Sequence, residues 1–252
     1  FPHHENERAQ SEACTGQKFV NYWMHNNMIE FAGAKMSKSL GNVRTARSFM
    51  DAHSPELLKY LILSVHYRSI CDFSESQLQN ITRSLARIYS ALAQAEKSLA
   101  VDSASGPSSR FDEWSSFLKE QDQKISQALD DDFNTPEALG SVFEVVRRFN
   151  SEMSSKSKSK ALAEDFRNWV LGWGRLFSLF QTPARDFLRK LDDQLLKNRD
   201  LNRDVIQAKV DSRWQARLAK DWKRSDALRD ELRAIGIELQ DSSTGTEWEV
   251  AK

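Results

Sequence analysis

The sequence SESQLQNITRSLARIYSALAQAEKSL occupies residues 74–99 and carries the clearest helical periodicity in the chain. Ser74 and Gln77 match a capping box, in which two side chains satisfy free backbone groups at a helix start. Apolar residues then recur at spacings of three, four and seven, as expected for one face of a helix. They are Leu78, Ile81, Leu85, Ile88, Leu92 and Leu99. The stretch predicts a long amphipathic helix with one buried side.

Helical patterns continue on both sides of this segment. Ser54-Pro55-Glu56 and Thr135-Pro136-Glu137 each combine a capping residue with a proline in the first turn, which favours a helix start. A later aromatic stripe has the spacing of a helical core face, which is more typical of a packed core than of a base-stacking platform. It comprises Phe166, Trp169, Val170, Trp173, Leu176, Phe177 and Phe180.

Only two regions suit strands. Phe19–Met24 is apolar and aromatic, Asn26-Asn27 is typical of a turn, and Met28–Phe31 could return as a second strand. Near the end, Gly236 is placed as a helix terminator, and residues 237–250 have the pattern of a small hairpin. The sequence predicts a mainly α fold, preceded by a short α/β segment and ending in a β-hairpin.

The composition restricts the function classes. The 36 basic and 36 acidic residues give zero net charge, so nucleic-acid binding would need a local basic face. No apolar run approaches the roughly 18 residues of a membrane span. The opening residues lack the basic and apolar parts of a secretory signal. Cys14 and Cys71 form no CxxC pair. These features favour a reduced, cytoplasmic setting without a membrane partner.

The most specific motif is Lys35-Met36-Ser37-Lys38-Ser39. Two lysines three residues apart on a short loop can both approach a polyphosphate and neutralise the charge that develops as pyrophosphate leaves. The serines can donate further hydrogen bonds to phosphate oxygens. Taken alone, such a stretch is more typical of an exposed basic loop.

A second candidate is the pair His3 and Glu7, which are four residues apart on a predicted helix and share a face. Imidazole nitrogen and carboxylate oxygen are both zinc ligands. Such a pair alone is also compatible with a surface hydrogen bond.

The third candidate is a basic carboxy-terminal region in which cations alternate with Trp214 and Trp222. A solvated helix face explains this composition, and so does an RNA-binding face with stacking aromatics. The cations are Arg203, Lys209, Arg213, Arg217, Lys220, Lys223 and Arg224.

Several of these segments resemble one known family. Residues 35–39 match the KMSKS signature of class I aminoacyl-tRNA synthetases in all five letters, and FPHHENERAQS at residues 1–11 is similar to a segment of the cysteinyl-tRNA synthetases. Further similar segments follow in the family's order: NYWMH at 21–25, KYL at 59–61, HYRS at 66–69, LDDDFNTPEA at 129–138, AKDW at 219–222 and DALRD at 226–230. The chain is identified as a member of this family, as its carboxy-terminal portion.

The resemblance implies a parent enzyme that activates L-cysteine with ATP, accompanied by Mg, and transfers it to the 3′ end of tRNA(Cys). It implies that Lys38 contacts ATP, supported by Lys35, Ser37 and Ser39, with His25 near the adenylate. It also implies one zinc per intact enzyme, bound by His3, Glu7 and two cysteines. Those cysteines and the ATP-binding HIGH signature lie upstream in the family and are absent here. We therefore expect this chain alone to be inactive and to hold no zinc.

The family organisation implies four units. They are the end of the catalytic domain over 1–45, a helical stem-contact region over 46–100, a DALR-type anticodon-binding bundle over 111–198, and a tRNA-binding subdomain over 199–252. The expected partners are tRNA(Cys), cysteine and ATP, with no obligate protein partner. Two other functions are compatible with the sequence, namely a stand-alone tRNA-binding module and a ligase that joins cysteine to an amine in the mycothiol pathway.

Overall fold

The computed structural model describes residues 2–31, 34–35, 45–100, 111–153, 159–242 and 245–252. Within these ranges the protein is mainly helical, as predicted. Its helices are α1 (Pro2–Thr15), α2 (Ala46–Ala52), α3 (Pro55–Leu63), α4 (Glu75–Ala100), α5 (Phe111–Asp130), α6 (Thr135–Met153), α7 (Lys160–Phe177), α8 (Ala184–Asn198), α9 (Arg203–Leu218) and α10 (Trp222–Ala234). Its strands are β1 (Ile29–Phe31), β2 (Ala34–Lys35), β3 (Cys71–Asp72), β4 (Ile237–Asp241) and β5 (Thr246–Val250).

The helix starts follow from local side-chain chemistry. The Ser54 hydroxyl accepts a hydrogen bond from the Leu57 N–H at 3.1 Å, and the Ser74 hydroxyl accepts one from the Gln77 N–H at 3.4 Å. Both starts confirm the sequence prediction. Helix α6 differs by one residue, because its capping side chain is Asn134, which accepts from the Glu137 N–H at 3.3 Å.

The predicted strand over Phe19–Met24 is wrong. These residues form irregular backbone, and the Tyr22 side chain is 89% exposed. Strand β1 instead pairs antiparallel with β2 and parallel with β3, which lies about forty residues later in the chain. The Asn27 N–H donates to the Tyr67 carbonyl at 2.8 Å. The Asn26-Asn27 segment therefore pairs with a later part of the chain and does not form the predicted turn between two neighbouring strands.

One hydrophobic core unites helices α2 to α8. Tyr89 of α4 stacks on Phe187 of α8 with ring centroids 3.8 Å apart, and Phe149 of α6 stacks on Phe166 of α7 at 3.9 Å. The expected stem-contact segment and the expected anticodon-binding bundle therefore share a single core.

Most of the aromatic stripe lies in this core, as predicted. Trp169 and Trp173 are partly buried, and each donates its indole N–H to the same Asp122 carboxylate oxygen, at 2.7 and 2.8 Å. Leu176 is the exception because its side chain is 62% exposed on the outer side of α7.

A second, smaller core lies between α8, α9, α10 and the terminal hairpin. Strands β4 and β5 pair over five residues each, from Ile237 opposite Val250 to Asp241 opposite Thr246. Gly236 has a φ of +76°, which allows the chain to leave α10 and enter β4. None of the helices in the described ranges has the length and apolar character needed to cross a membrane.

Candidate nucleic-acid interface

The amino-terminal segment brings three histidines together. The ring of His4 lies 4.0 Å from that of His3 and 4.7 Å from that of His25, measured between centroids. Partial desolvation and the neighbouring charges of His3 and His25 lower the pKa of His4. The predicted ligands His3 and Glu7 both lie exposed on α1, one helical turn apart. Across the part of the chain that is described, three or more metal-ligating side chains do not converge at any point.

The predicted phosphate-binding residues are only partly described. Lys35 lies in β2, where its backbone is in register with Glu30 of β1. Ser37, Lys38 and Ser39 lie outside the described residues. In the described sheet this segment therefore begins at an edge strand, next to β1 and on the side opposite to β3.

A polar junction connects this sheet to the helices. The Asp132 carboxylate accepts a hydrogen bond from the Tyr67 hydroxyl at 2.6 Å and lies 2.7 Å from Arg68 Nε. The Tyr67 hydrogen bond and the Arg68 guanidinium hold the pKa of Asp132 below its usual range. The Asn27 amide donates to the Arg68 carbonyl at 2.8 Å, so the strand segment, the loop after α3 and the loop after α5 meet here.

The backbone at this junction adopts an uncommon conformation. Asp132 and Phe133 have φ values of +53° and +56°, in the left-handed region that residues with a side chain seldom occupy. The Phe133 ring is 55% exposed. The sequence analysis noted that residues 66–69 and 129–138 resemble the family, but it assigned no role to Tyr67, Arg68 or Asp132.

A second junction centres on Glu56 in the first turn of α3. Its carboxylate accepts a hydrogen bond from the Tyr89 hydroxyl at 2.7 Å and one from the Phe180 N–H at 2.5 Å. The Lys59 ammonium donates to the Ser178 carbonyl at 3.2 Å. Burial and the nearby Glu56 charge raise the pKa of Tyr89, which keeps this hydroxyl a donor. These contacts fix α3 against the segment that links α7 to α8.

Among the predicted basic residues, Arg213 has a role that the sequence does not reveal. Its side chain is only 2% exposed, and its guanidinium lies 2.8 and 3.0 Å from the two carboxylate oxygens of Asp241. Arg217 reaches the same carboxylate at 2.7 Å, and the Thr246 hydroxyl donates to it at 2.7 Å. The Arg213 hydrogen bonds hold the pKa of Asp241 far below its usual range. Arg213 is therefore a buried anchor between α9 and the hairpin, and it presents no surface to RNA.

Two further members of the predicted set are also tied to the fold. Arg203 pairs with Asp193 and lies over the Trp248 ring, with its guanidinium carbon 4.6 Å from the ring centroid. Lys209 pairs with Glu231 at 2.9 Å, which joins α9 to α10. Both side chains are partly exposed and hold neighbouring elements together.

The remaining predicted cations lie at the turn between α9 and α10. Lys220, Lys223 and Arg224 are exposed, and Lys220 has a φ of +58° where the chain reverses. Asp221 caps α10 by accepting a hydrogen bond from the Arg224 N–H at 3.1 Å. Trp222 begins α10 with 58% of its surface exposed. An exposed indole ring flanked by cations suits single-stranded nucleic acid, because bases stack on the ring and phosphates face the cations.

Comparison with known proteins finds two domain families and a set of full-length relatives. Residues 1–83 match the family of tRNA synthetases class I (C) catalytic domain, and residues 124–181 match the DALR domain family. The chain is 45% identical over its whole length to a cysteine–tRNA ligase of Bdellovibrio bacteriovorus, of which it covers 52%. It is 38% identical to that of Oleidesulfovibrio alaskensis, with 100% of the chain and 53% of the relative covered. It is 40% identical to that of Geotalea daltonii, with 99% of the chain and 53% of the relative covered.

The chain thus spans about half the length of the curated relatives it matches. Its similarity extends from the segment of the three histidines to the terminal hairpin, across both hydrophobic cores. Along its whole length the chain is similar to cysteine–tRNA ligases, with a match to the class I (C) tRNA synthetase catalytic domain at residues 1–83 and a match to the DALR domain at residues 124–181.

Proposed function

We propose that the full-length protein activates L-cysteine with ATP and transfers it to the 3′ end of tRNA(Cys). The observation that carries this proposal is whole-length similarity to cysteine–tRNA ligases combined with an exposed Trp222 among cations at the α9–α10 turn. The similarity accounts for the ligase chemistry. The exposed aromatic and basic turn accounts for an RNA substrate, which an enzyme acting only on a small amine would not need.

The residues that this chain contributes to ATP chemistry are Lys35 and Lys38, with Ser37, Ser39 and His25. An ammonium group close to the β- and γ-phosphates of the Mg-bound nucleotide stabilises the negative charge that grows as pyrophosphate leaves. Lysine suits this role because its flexible stem can follow the departing group. Support for the placement comes from β1 to β3, which hold the start of this segment against the helical part of the chain.

His3 and Glu7 are proposed as two ligands of one zinc ion per full-length protein. Their donor atoms fit zinc, and their exposed positions one turn apart on α1 leave room for ligands from elsewhere in the protein. When bound, zinc would hold the substrate as its thiolate, because this metal prefers sulfur to a hydroxyl oxygen. With two of the usual four ligands, residues 1–252 alone are expected to hold no stoichiometric zinc.

We also propose four functional units. Residues 1–45 end the catalytic domain, 46–100 contact the tRNA stem, 111–198 form the DALR-type bundle, and 199–252 form the terminal tRNA-binding subdomain. The second core, formed by α9, α10 and the hairpin against Leu196 of α8, supports a distinct last unit, whereas 46–100 and 111–198 share one core. A cytoplasmic location without an obligate protein partner fits this function.

The experiment that tests the RNA part uses the chain itself. Fluorescence anisotropy with labelled tRNA(Cys), titrated between about 50 and 200 mM salt, should show binding that weakens steeply as salt rises, because phosphate contacts release counterions. Unlabelled tRNA of another specificity serves as competitor. Absence of salt-sensitive binding would contradict the tRNA proposal and favour a ligase that acts on a small amine.

A further inference from the structure

The position of strand β1 depends on the loop between α3 and β3. The Asn27 N–H donates to the Tyr67 carbonyl, and the Asn27 side-chain amide donates to the Arg68 carbonyl, each at 2.8 Å. At the end of the loop, the Cys71 N–H donates to the Met28 carbonyl at 3.1 Å. These directional contacts hold the residues that lead into β1 against the loop, so a shift of the loop shifts β1.

Asp132, in the turn between α5 and α6, holds the same loop in place. Its carboxylate accepts from the Tyr67 hydroxyl at 2.6 Å, and it lies 2.7 Å from Nε and 3.2 Å from Nη2 of Arg68. The His66 Nε2 atom lies 3.1 Å from the Asp132 carbonyl oxygen. Three consecutive side chains of the loop therefore converge on one residue of the helical bundle. Hydrogen bonds between charged groups are stronger than neutral ones and fix a defined geometry.

The backbone of this turn adopts a conformation that costs free energy. Asp132 and Phe133 are consecutive left-handed residues, with φ values of +53° and +56°. Such a conformation persists only where surrounding contacts offset its cost, as the contacts of Asp132 with the loop do here. Glycine, which adopts left-handed backbone without this cost, would serve a turn that only joined two helices. An aspartate at this position therefore indicates that its carboxylate has a task beyond the turn.

Strand β1 in turn fixes the backbone of Lys35. Strand β2 lies at the edge of its three-stranded sheet, where Lys35 is the register partner of Glu30 in β1. The Phe31 ring also packs on Phe73, with ring centroids 5.2 Å apart, but an apolar contact of this kind is non-directional. The hydrogen bonds to the α3–β3 loop therefore determine where β1 lies, and with it the backbone of Lys35.

We propose that Asp132 is a positioning residue for Lys35 at the proposed ATP site. It acts through the α3–β3 loop and β1, and it touches no substrate itself. The inference rests on the proposed function of Lys35. It adds a role for an acidic residue of the DALR-type bundle in the activation of cysteine, a step that involves no RNA. Small displacements matter at such a site, because a misplacement of about 1 Å can slow a reaction on the order of 10²-fold.

The first measurement uses residues 1–252 and does not depend on activity. Asp132→Asn keeps the size of the side chain and removes its charge, and Asp131→Asn is the matched control on the exposed neighbouring residue. Hydrogen exchange followed by NMR should become about tenfold faster or more at the backbone amides of Asn27 and Cys71 in Asp132→Asn, because a weakened charge-assisted contact allows more frequent local opening. Exchange in the β4–β5 hairpin, which packs in the second core, should stay at the parent rate.

Tyr67→Phe is a second variant that removes only the hydroxyl donor and keeps the aromatic ring. It should accelerate exchange at the same two amides to a smaller extent, since one neutral donor is lost. Parent exchange rates in both variants would overturn the proposal, because the junction would then not hold β1. Equal acceleration in the hairpin would also overturn it, because Asp132 would then act on overall stability alone.

The second measurement uses the full-length protein and ATP–pyrophosphate exchange without tRNA. Asp132→Asn should lower the kcat of exchange by about 10–10²-fold and leave the KM for cysteine unchanged, because a displaced Lys35 affects the departure of pyrophosphate. Asp131→Asn should keep the parent values. Normal exchange in Asp132→Asn would overturn the positioning role while the proposed function stands. Absence of cysteine-dependent exchange in the parent protein would overturn the proposed function and, with it, the role of Lys35.

Discussion

The Tyr67 hydroxyl lies 2.6 Å from the Asp132 carboxylate, although 65 residues separate them in sequence. Arg68 closes the same junction, and the Asn27 amide donates to the Arg68 carbonyl from the strand side. Three segments that carry different proposed tasks therefore meet at one carboxylate. Any displacement of the β1–β3 sheet relative to α5 and α6 must break these contacts.

Substitution of Asp132 should loosen this junction. We expect Asp132→Asn to lower the melting temperature of the chain, because an amide still accepts from Tyr67 but offers no negative charge to Arg68. Asp131→Asn is the matched control, since Asp131 is the exposed neighbour and has no side-chain contact at the junction. Equal melting temperatures for both variants, measured by calorimetry, would show that the junction contributes nothing to stability.

Arg213 and Arg217 contact the same carboxylate but should differ in their contribution to stability. Arg213→Ala removes a buried, bidentate, charge-assisted pair and should destabilise the terminal unit by about 2–3 kcal/mol. Arg217→Ala removes a pair that is about one-third exposed and should cost less than about 1 kcal/mol. Urea unfolding followed by tryptophan fluorescence measures both. A larger loss for Arg217→Ala would contradict the assignment of Arg213 as the anchor.

The stability of the terminal unit should also depend on pH through Asp241. The pKa of its carboxyl is lowered in the folded chain, chiefly by hydrogen bonds from Arg213, so the folded state binds fewer protons than the unfolded state at acidic pH. The contribution is present above the unfolded pKa of about 3.9 and declines as pH falls below that value. Asp241→Asn should flatten this decline in unfolding experiments between about pH 5 and pH 2. An unchanged pH profile would assign the acid sensitivity to other carboxylates.

Removal of the exposed indole ring should weaken RNA binding without affecting the fold. We expect Trp222→Ala to lower the affinity for an anticodon stem-loop by about 1–3 kcal/mol, the usual contribution of one stacked base. Trp222→Phe retains an aromatic face and should recover much of that loss. The salt dependence should remain, because no cation is removed. If Trp222→Ala binds as tightly as the parent chain, bases do not stack at this position.

Local chemistry made the helices predictable from the sequence. Caps such as Ser54 and Ser74 act within three residues, and the apolar faces repeat within each helix, so both signals are contained in short windows. The prediction of a strand over Phe19–Met24 was wrong because strand pairing depends on contacts outside a short window of sequence. A strand needs a partner, and β1 found its partners in β2 and in the distant β3.

The candidate site was less predictable because its contacts are long-range. Arg213 looks like its basic neighbours in the sequence, and only the fold brings Asp241, 28 residues away, against it. Asp132 likewise depends on Tyr67 and Arg68, which no spacing rule connects to it. The exposed turn with Trp222 was found because a run of cations with an aromatic residue is visible directly in the sequence.

The most direct test is transfer of radiolabelled cysteine to tRNA(Cys) by the full-length protein in the presence of ATP and Mg. We expect cysteine to become esterified to the 3′ end of the tRNA. We also expect Lys38→Ala to slow ATP–pyrophosphate exchange by about 10²–10³-fold with little change in cysteine affinity, since the ammonium acts on charge that develops in the transition state. Cysteine-dependent ATP turnover that leaves the tRNA unacylated, or normal exchange in Lys38→Ala, would contradict the account.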